Sequence, residues 1–529
     1  MNTAKHTKLT GQSQRTGKNS TGEAIRRKGG SRAGNARPSR NSRATRGQID
    51  SQQKYAISQW HNTEEIYDRL KALLKEPPRT IRRDKMNEVL DYFNHRCKKS
   101  RAIAEDAQKY IPGGVQHNLA FNYPFPLVVD RARGAYLRDV DGNRYIDFLQ
   151  AGGPTLLGSN YEPVQKKIIS LIQDCGPVTG LLHEYEGLLA REIHRHMPGI
   201  EMFRMLGSGT ESVMAAIRLA RAYTGKKKVI KIGGGYHGWS DSMVYGMRIP
   251  GTGRREAAGI PRGATSQTQE CFPNDMGALR RKMILNRLRG GTAAVIVEPL
   301  GPESGTRPVY ENYNAELRKL CDEFGALLIF DEVVTGFRLG LGGAQGYFNV
   351  RPDLTVFGKC LTGGYPMAGG VGGRKDVMML LAGGISAMGK RAFVGGTLSA
   401  NPLSCAAGYF SIQEMEKHNA AVKAGRAGDR LARGLKEIVG RLNLPYVVYN
   451  QGSIVHLQTS AVLLMSMRNP IKVLKEAKER KHMMEEMGAA FMANGIVTLA
   501  GSRIYTSMAD TDAIIDEALN RFETVLKMV

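Results

Sequence analysis

The sequence has no apolar run of roughly 18 residues, the length that a membrane-spanning helix needs, and its first residues contain no apolar signal core. Its 6 cysteines include no CxxC pair and no spacing that is typical of metal ligands. We therefore expect no membrane insertion, no secretion and no metal site, and we predict reduced thiols in a cytoplasmic protein. The cysteines are Cys97, Cys175, Cys271, Cys321, Cys360 and Cys405.

Large apolar residues and acidic residues are scarce in the first 52 residues. Residues 1–50 contain 12 Lys or Arg but only Glu23 and Asp50 as acids, so they carry +10 of the formal net charge of +26. Such a segment buries too little surface to offset its ordering entropy, and we predict a disordered basic tail. Three roles stay open for it: an inert tail, a weak contact with nucleic acid or another polyanion, or organelle targeting.

Patterns of buried strands occupy the middle of the chain. With 529 residues, of which 42% are hydrophobic, the chain is long enough for one large α/β enzyme with a smaller domain. Residues 292–298 and 326–331 are apolar runs that each end in a carboxylate, and a helical pattern separates them. This order predicts a parallel sheet, and such sheets bind ligands at the carboxyl ends of their strands.

An amine and a carboxylate follow two of the predicted strands. One strand ends at Asp331, and a second short strand, residues 355–357, leads to Lys359 in a glycine-rich turn. Pyridoxal phosphate requires such a pair: a lysine for its Schiff base and an acid that keeps the pyridine nitrogen protonated. Plainer roles also fit, because a strand-end carboxylate often caps a helix and a lone lysine is usually solvated.

Two further segments have the composition of ligand-binding turns. Ser208, Gly209 and Thr210 precede a helical pattern, so their N–H groups and hydroxyls form a candidate phosphate site. Residues 233–239 are rich in glycine and contain Tyr236, which can stack on a flat ring. A plain helix cap and a packed aromatic residue explain the same patterns.

Six motifs, in this order, resemble the class III, fold type I, pyridoxal-phosphate-dependent aminotransferases. The likeness extends from about residue 96 onward. Within the family, residues 111–115 and 341–347 are similar to the glutamate-1-semialdehyde aminomutase branch. The six motifs are Gly-Ser-Gly-Thr-Glu (207–211), Gly-Tyr-His-Gly (235–238), Val-Glu-Pro (297–299), Phe-Asp-Glu-Val-Val-Thr-Gly-Phe-Arg (330–338), Gly-Lys (358–359) and Gly-Thr-Leu-Ser-Ala-Asn-Pro (396–402).

The resemblance implies roles for particular residues. Lys359 would form the aldimine with pyridoxal phosphate, and Asp331 would pair with the pyridinium nitrogen. Thr397 would reach the phosphate of a neighbouring subunit, which implies a homodimer. The other cofactor-binding residues that the family pattern implies are Ser208, Gly209 and Thr210 at the phosphate, Tyr236 stacked on the ring, and His237, Glu298 and Val333.

The sequence departs from the aminomutase pattern where the substrate would bind. Residues 116–120 contain no arginine that could grip a carboxylate, and Gly152 stands where that pattern has a tryptophan. A shorter segment near the C-terminus resembles β-amino-acid aminotransferases and contains Arg503. Arg503 and His117 are therefore candidate substrate residues.

We predict an aminotransferase that moves an amino group between an amino acid or amine and a keto acid by a ping-pong mechanism. Two alternatives stay open: a pyridoxal-phosphate-dependent isomerase, either an aminomutase or a racemase, and a polyanion-binding protein that acts through the basic tail. The predicted organisation is a basic tail (1–52), a helical extension (53–95), a joining segment (96–150), a large cofactor-binding domain with a mainly parallel seven-stranded sheet (151–395) and a small α+β domain (396–529). Apolar residues at helical spacing over residues 57–74 and 85–110 predict a helix in each of these ranges.

Deletion of residues 1–50 should leave the catalytic rate and the melting temperature nearly unchanged, because a disordered segment contributes few packed contacts. Any binding of nucleic acid should weaken steeply with added salt and be absent from the truncated protein. Steady-state kinetics, thermal melts and salt titrations measure these effects. Loss of catalysis on truncation would mean that the segment is an ordered part of the enzyme.

Overall fold

Helices and strands alternate along most of the chain. The computed structural model describes residues 53–176, 180–253, 257–384, 389–465, 470–499 and 501–529, so the predicted basic tail lies outside the described residues. The helices are α1 (Thr63–Lys75), α2 (Arg83–Arg96), α3 (Lys98–Ala107), α4 (Glu162–Asp174), α5 (Glu184–His196), α6 (Gly209–Thr224), α7 (Arg262–Thr265), α8 (Met276–Arg287), α9 (Pro302–Gly305), α10 (Tyr313–Phe324), α11 (Gly343–Tyr347), α12 (Lys375–Met378), α13 (Pro402–His418), α14 (Ala420–Arg441), α15 (Pro470–Ala493) and α16 (Asp512–Leu526). The strands are β1 (Val129–Arg133), β2 (Tyr136–Asp139), β3 (Arg144–Asp147), β4 (Met202–Leu206), β5 (Lys228–Ile232), β6 (Thr268–Cys271), β7 (Thr292–Val297), β8 (Leu327–Asp331), β9 (Leu354–Phe357), β10 (Gly369–Gly373), β11 (Val447–Gln451), β12 (Ile454–Gln458), β13 (Ile496–Val497) and β14 (Arg503–Tyr505).

A seven-stranded sheet forms the centre of the fold. Its strand order is β4-β10-β9-β8-β7-β5-β6, and only β10 runs antiparallel to its neighbours. β7 and β8 are buried along their whole length, as expected for parallel strands that are covered on both faces. The predicted α/β fold with a mainly parallel sheet is confirmed.

The alternation of side chains along β8 decides where its last residue points. Leu327 and Ile329 pack in a cluster with α6 on one face of the sheet. Leu328 and Phe330 pack with α8 and α10 on the other face. Because successive side chains of a strand point to opposite faces, Asp331 lies on the face covered by α6.

Two smaller sheets complete the fold. One has the order β1-β2-β3-β13, in which β13 runs parallel to β3, and the other is the antiparallel sheet β11-β12-β14. All 6 cysteines are free, and all except Cys175 are buried. None of the described helices is long and apolar enough to span a membrane. The predicted domain boundaries stay predictions.

The helical extension packs on the last helices of the chain. Apolar residues of α1 and α2, among them Leu70 and Phe93, share one buried cluster with α14, α15 and α16. The Arg82 N–H donates to Met528 O at 2.9 Å, and Arg82 Nη1 donates to Lys527 O at 3.0 Å. The extension therefore buries its apolar face against residues far away in sequence.

Two predicted helix boundaries in the extension are wrong. The sequence predicted one helix over residues 57–74, but α1 begins at Thr63, because the Asn62 side chain accepts a hydrogen bond from the Glu65 N–H and caps the helix there. A helix was predicted over residues 85–110, but the backbone breaks at Cys97 and forms α2 and α3.

Candidate active site

Three polar side chains lie at the carboxyl edge of the large sheet. β8 ends with Asp331, β7 is followed by Glu298, and β9 is followed after Gly358 by Lys359. These strands are parallel neighbours, so their carboxyl ends lie side by side. Asp331 and Glu298 are only 4% and 6% exposed. The sheet therefore brings together the amine and the carboxylates that the sequence singled out.

A buried histidine connects Asp331 to the glycine-rich turn. His237 donates its Nδ1–H to Asp331 Oδ2 at 2.6 Å, and the Val333 N–H donates to Asp331 Oδ1 at 3.1 Å. Burial lowers the pKa of His237, so the ring is neutral at pH 7 and we place its proton on Nδ1. The Asp331 carboxylate is thus fixed in orientation from two sides.

Glu298 is the second buried carboxylate of this edge. It accepts hydrogen bonds from the N–H groups of Tyr236 at 2.9 Å and Glu303 at 2.8 Å, and from the N–H and hydroxyl of Ser304. Burial, followed by the charge of Asp331, raises the pKa of Glu298 to about 7. Glu298 thereby ties the turn that carries Tyr236 to the short segment α9.

Helix α6 begins at the same edge of the sheet. Ser208 is its N-cap, and Ser208 Oγ accepts from the Glu211 N–H at 3.3 Å. The N–H groups of Gly209 and Thr210 belong to the first turn, which has no intrahelical acceptors, and the positive end of the helix dipole lies there. Val333 packs on this turn: a Cβ built on Gly209 would lie 2.9 Å from Val333 Cγ2. This helix terminus could hold a phosphate.

Lys359 is mostly buried and has a left-handed backbone, with φ of 45°. Its Nζ donates to the carbonyl oxygen of Gly152 at 2.8 Å. A Cβ built on Gly152 would lie 3.4 Å from that Nζ, so the lysine amine rests directly against the backbone of residue 152. The glycine found where the aminomutase pattern has a tryptophan therefore faces the amine.

The charges around Lys359 favour its neutral form. The pKa of Lys359 is lowered to about 8. Burial is the largest cause, and the charges of Arg503 and Arg338 contribute to the same lowering. Cys360 and Asp331 act in the opposite direction but do not outweigh them. About a tenth of the amine is thus unprotonated at pH 7, far more than for a solvated lysine, and a nucleophile or a base requires this form.

The sequence did not predict the left-handed turn that contains Gly152. Gln150, Ala151, Gly152 and Gly153 have φ values of 46°, 53°, 86° and 110°. Residues other than glycine seldom adopt this region, so the surrounding contacts must hold the turn. Two glycines in succession were a visible signal, but the conformation of Gln150 and Ala151 has no local sequence signature.

Arg338 supplies many of these contacts, and the sequence did not predict this role either. Its Nε and Nη2 donate to Gly153 O at 3.1 and 2.6 Å, and Nη2 also donates to Gln150 Oε1 at 3.0 Å. Its Nη1 donates to Ser453 Oγ at 3.0 Å and to Thr506 O at 2.9 Å. Arg338 stands in the quoted 330–338 motif, but nothing in that motif indicates partners more than 100 residues away.

Arg503, in β14, reaches the same region. Its Nη1 donates to Glu303 O at 2.6 Å, and its Nη2 lies 3.6 Å from the Glu303 carboxylate. Burial lowers the pKa of Arg503, but the neighbouring Tyr505, Glu303 and Glu298 raise it more, so the guanidinium stays charged. Its charge is one of the causes that lower the pKa of Lys359, so this candidate substrate residue lies within electrostatic range of the lysine.

The remaining predicted site residues differ in their placement. Tyr236 is 47% exposed, so its ring has a free surface at the site. Thr397 is exposed in a turn that precedes α13. His117 is exposed, and its Nδ1 accepts from the Leu119 N–H at 3.0 Å, so the ring caps its own turn. The segment of His117 nevertheless approaches the lysine, because Leu119 Cδ1 lies 3.3 Å from a Cβ built on Gly152.

One group of possible metal ligands lies in α5 and α13. Among the described residues, Glu192, His196 and Glu416 place ligand atoms within 4.8 Å of one another. Arg195 pairs with both carboxylates, at 2.7 Å to Glu192 and 2.5 Å to Glu416. We therefore describe this cluster as an ion-pair network.

A mainly parallel sheet that carries a buried lysine, two carboxylates and a helix N-terminus at one edge defines an enzyme of the fold type I, pyridoxal-phosphate-dependent class. The chain belongs to the class III aminotransferase family, whose sequence model, Aminotransferase class-III, matches residues 119–526. Its cofactor is pyridoxal phosphate.

Named relatives include both isomerases and transaminases. The chain is 39% identical over 362 residues to glutamate-1-semialdehyde 2,1-aminomutase 1 of Lachnoclostridium phytofermentans, over 67% of this chain and 83% of the relative. Its structure is similar to an omega-transaminase from Sphaerobacter thermophilus, with a TM-score of 0.73 and 26% identity over 82% of this chain and 98% of that chain. A transaminase with PLP bound gives a TM-score of 0.71 and 27% identity over 82% and 97% of the two chains.

The donor set of the site fits this cofactor. The unpaired N–H groups at the start of α6 suit a phosphate dianion, and a buried carboxylate such as Asp331 suits a protonated ring nitrogen. The half-exposed ring of Tyr236 can cover a flat heterocycle. The bound cofactor supplies an electron sink for the bonds at the substrate carbon that bears nitrogen.

We expect Lys359→Met to stabilise the cofactor-free protein at pH 7. Because the pKa of Lys359 falls from 10.5 to about 8 on folding, the unfolded chain holds this proton more tightly, and the native state is penalised at and below about pH 8. The penalty fades as the pH rises towards the unfolded value. The gain in unfolding free energy should reach about 3 kcal/mol at pH 7 and shrink by about pH 10.

Denaturant unfolding of both cofactor-free proteins at the two pH values measures this effect. Lys71→Met is the matched control, because the Lys71 side chain is 64% exposed and its loss should change stability little at either pH. An equal gain for Lys359→Met at both pH values would show that packing, and not the buried charge, is responsible.

Proposed function

We propose that this enzyme is an aminotransferase in which Lys359 carries the cofactor and afterwards takes and returns the proton at the substrate carbon that bears nitrogen. Asp331 holds the proton on the ring nitrogen, and Ser208, Gly209 and Thr210 bind the phosphate. The enzyme moves an amino group from an amino acid or amine to a keto acid in two half-reactions that share one pocket.

Four further residues support this arrangement. Tyr236 stacks on the ring of the cofactor, and Glu298 fixes the backbone of Tyr236 through its N–H. His237 orients the Asp331 carboxylate from the other side. Val333 packs between the phosphate-binding turn and the turn of Lys359, since Cβ atoms built on Gly209 and Gly358 would lie 2.9 and 3.0 Å from its methyl groups.

The pair of Arg503 and Glu303 carries the proposal of transfer. Transfer between an amino acid and a keto acid requires one cation that receives the carboxylates of both substrates in turn. The main-chain bond to Glu303 O is short, at 2.6 Å, whereas the Glu303 carboxylate lies 3.6 Å from Nη2, beyond a good hydrogen bond. An incoming carboxylate can replace the looser partner while the main-chain bond still holds the guanidinium.

Glu303 also keeps Arg503 available between substrates. Without a carboxylate in the pocket, the negative charge of Glu303 offsets the buried guanidinium and limits the cost of desolvation. A keto acid and an amino acid can then enter alternately without rearrangement of the rest of the site.

Isomerisation is the second candidate, and its support is the 39% identity to an aminomutase. An isomerase returns its nitrogen to the same molecule, so it does not need a site that exchanges carboxylates. Residues 116–120, which contain no arginine, and Gly152 are the positions at which this chain departs from that pattern.

Arg503→Ala should raise the KM for both carboxylate substrates by roughly tenfold or more, because a buried charge-assisted pair is lost. Arg503→Lys should recover only part of this loss, since a point charge does not reproduce the planar fork. Arg521→Ala is the matched control: Arg521 also donates to a main-chain carbonyl, Gly495 O at 2.8 Å, and pairs with one carboxylate, Glu517 at 2.5 Å.

The two candidate reactions differ when the holoenzyme is mixed with one amino acid alone. On the transfer hypothesis, the absorbance of the cofactor changes once and turnover then stops. Addition of a keto acid restores the original absorbance and the turnover. Continuous conversion of a single amino acid into an isomer, with no keto acid present, would contradict transfer and establish isomerisation. Both outcomes are followed by absorbance together with chromatography of the products.

We also propose a homodimer in which Thr397 serves the site of the partner subunit. Thr397 is exposed and is flanked by large exposed apolar side chains, Phe393 at 83% and Leu398 at 52% exposure. Apolar residues that flank an exposed polar residue are typical of a surface that another chain covers.

Mixed dimers test this arrangement. Lys359→Ala and Thr397→Asp, which places a negative charge at the phosphate, should each be inactive alone. If Thr397 acts across the interface, a hybrid dimer contains one site with both native residues, and mixing the two variants with exchange of subunits should restore part of the activity. No recovery in verified hybrids would show that Thr397 acts within its own subunit.

A further inference from the structure

We propose that Arg338 is a positioning residue that holds the turn of residues 150–153, so that the Gly152 carbonyl receives the Lys359 amine whenever this amine is not bonded to the cofactor. The inference rests on the role proposed above for Lys359. It assigns to Arg338 and Gln150, which do not contact the cofactor in that proposal, the task of keeping the free amine in place between chemical steps.

Among the described residues, one acceptor defines the resting position of the amine. Lys359 Nζ lies 2.8 Å from Gly152 O. The neighbouring carbonyl, Gly153 O, accepts instead from Arg338 and from Cys360 Sγ, the latter at 3.2 Å. Two successive carbonyls of the turn thus have different donors: Gly153 O accepts from the permanent cation Arg338, and Gly152 O accepts from Lys359.

Arg338 is suited to this task by its geometry. It is fully buried, and two of its nitrogens converge on Gly153 O while one of them also donates to Gln150 Oε1. Its guanidinium also lies over the ring of Tyr505, 5.0 Å from the centroid. A planar fork in this position fixes both ends of the turn, which a flexible ammonium cannot do.

The turn needs such support because its conformation is unfavourable. Gln150 and Ala151 have positive φ values, which residues with a Cβ adopt only at an energetic cost. Gln150 is held from the other side by Asp510, whose Oδ2 accepts from Gln150 Nε2 at 3.4 Å. The chain of contacts therefore runs from Asp510 through Gln150 and Arg338 to the carbonyl beside the lysine.

Arg338 also acts on the amine through its charge. The charged and titratable groups that face Lys359 are Arg503 and Arg338, which favour the neutral amine, and Cys360 and Asp331, which favour the ammonium. Removal of Arg338 therefore has two separable consequences: the Gly152 carbonyl moves, and the Lys359 amine holds its proton more tightly.

Capture of pyridoxal phosphate by the cofactor-free protein separates these consequences. In this step the Lys359 nitrogen bonds to the aldehyde carbon, the aldehyde oxygen leaves as water, and the ammonium proton passes to solvent. The rate constant, followed by absorbance after rapid mixing, should rise with pH to a plateau with its midpoint near the pKa of Lys359, about 8. The midpoint reports the charge at the amine, and the plateau reports its position.

Four variants give distinct expectations. Arg338→Met should raise the midpoint by roughly half a pH unit or more, because a cation is lost, and should lower the plateau by roughly tenfold, because the amine is misplaced. Arg338→Lys should keep the midpoint but not the plateau. Gln150→Asn tolerates the positive φ but is too short for its contacts, and it should lower only the plateau. Arg480→Met should change neither.

Arg480 is a matched control for the loss of a buried arginine. It is 2% exposed and donates to the carbonyls of Ser460, Leu74 and Glu76, all remote from the lysine. A wild-type midpoint and plateau in Arg338→Met would overturn the proposal. A wild-type plateau in both Arg338→Lys and Gln150→Asn would overturn the positioning role, even if Arg338→Met proved too unstable to assay.

The same measurement distinguishes failure of this inference from failure of the proposed function. Lys359→Ala should capture no cofactor covalently, as tested by borohydride reduction and mass spectrometry. Covalent capture in that variant would disprove the role of Lys359 itself. Because no amino or keto substrate is present, the result does not depend on whether the enzyme transfers or isomerises.

Discussion

Desolvation of one amine at the carboxyl edge of the large sheet is the constraint to which the surrounding groups respond. A buried ammonium is costly, so its environment either supplies counter-charge or favours the neutral form. Here burial is the largest cause of the fall in the pKa of Lys359 to about 8, and the positive charges of Arg503 and Arg338 also favour the neutral amine. Burial and these positive charges together therefore favour a neutral, reactive nitrogen.

Left-handed backbone occurs in two segments of this site. Residues 150–153 turn a carbonyl towards Lys359, and in α9 the residues Glu303 and Ser304, with φ of 47° and 50°, turn two N–H groups towards Glu298. Side chains of these residue types are strained in such conformations, so the turns persist only because Arg338 and Glu298 hold them. The site uses main-chain atoms at positions that regular helices and strands do not reach.

The sequence predicts the parts of the site that depend on regular structure. Lys359 and Asp331 follow apolar strands, and parallel strands place their ends at one edge, so their proximity is foreseeable from local patterns. Arg338 and the pair of Glu303 and Arg503 are different. The side-chain partners of Arg338 lie 115 or more residues away, Arg503 lies 200 residues from Glu303, and both sets of contacts depend on turns with no local signature. His117 stays a prediction as a substrate residue: its Nδ1 accepts from the Leu119 N–H, a local contact that its own turn explains.

The contacts of Arg82 join residues that the ribosome synthesises at very different times. This residue bonds to Lys527 O, 445 residues later, and the apolar faces of α1 and α2 are buried against helices of the same late region. At ribosomal speeds of about 5–20 residues per second, roughly 20–90 seconds separate the synthesis of the two partners. Leu70 and Phe93 of α1 and α2 therefore cannot be buried against these residues until translation reaches the late part of the chain.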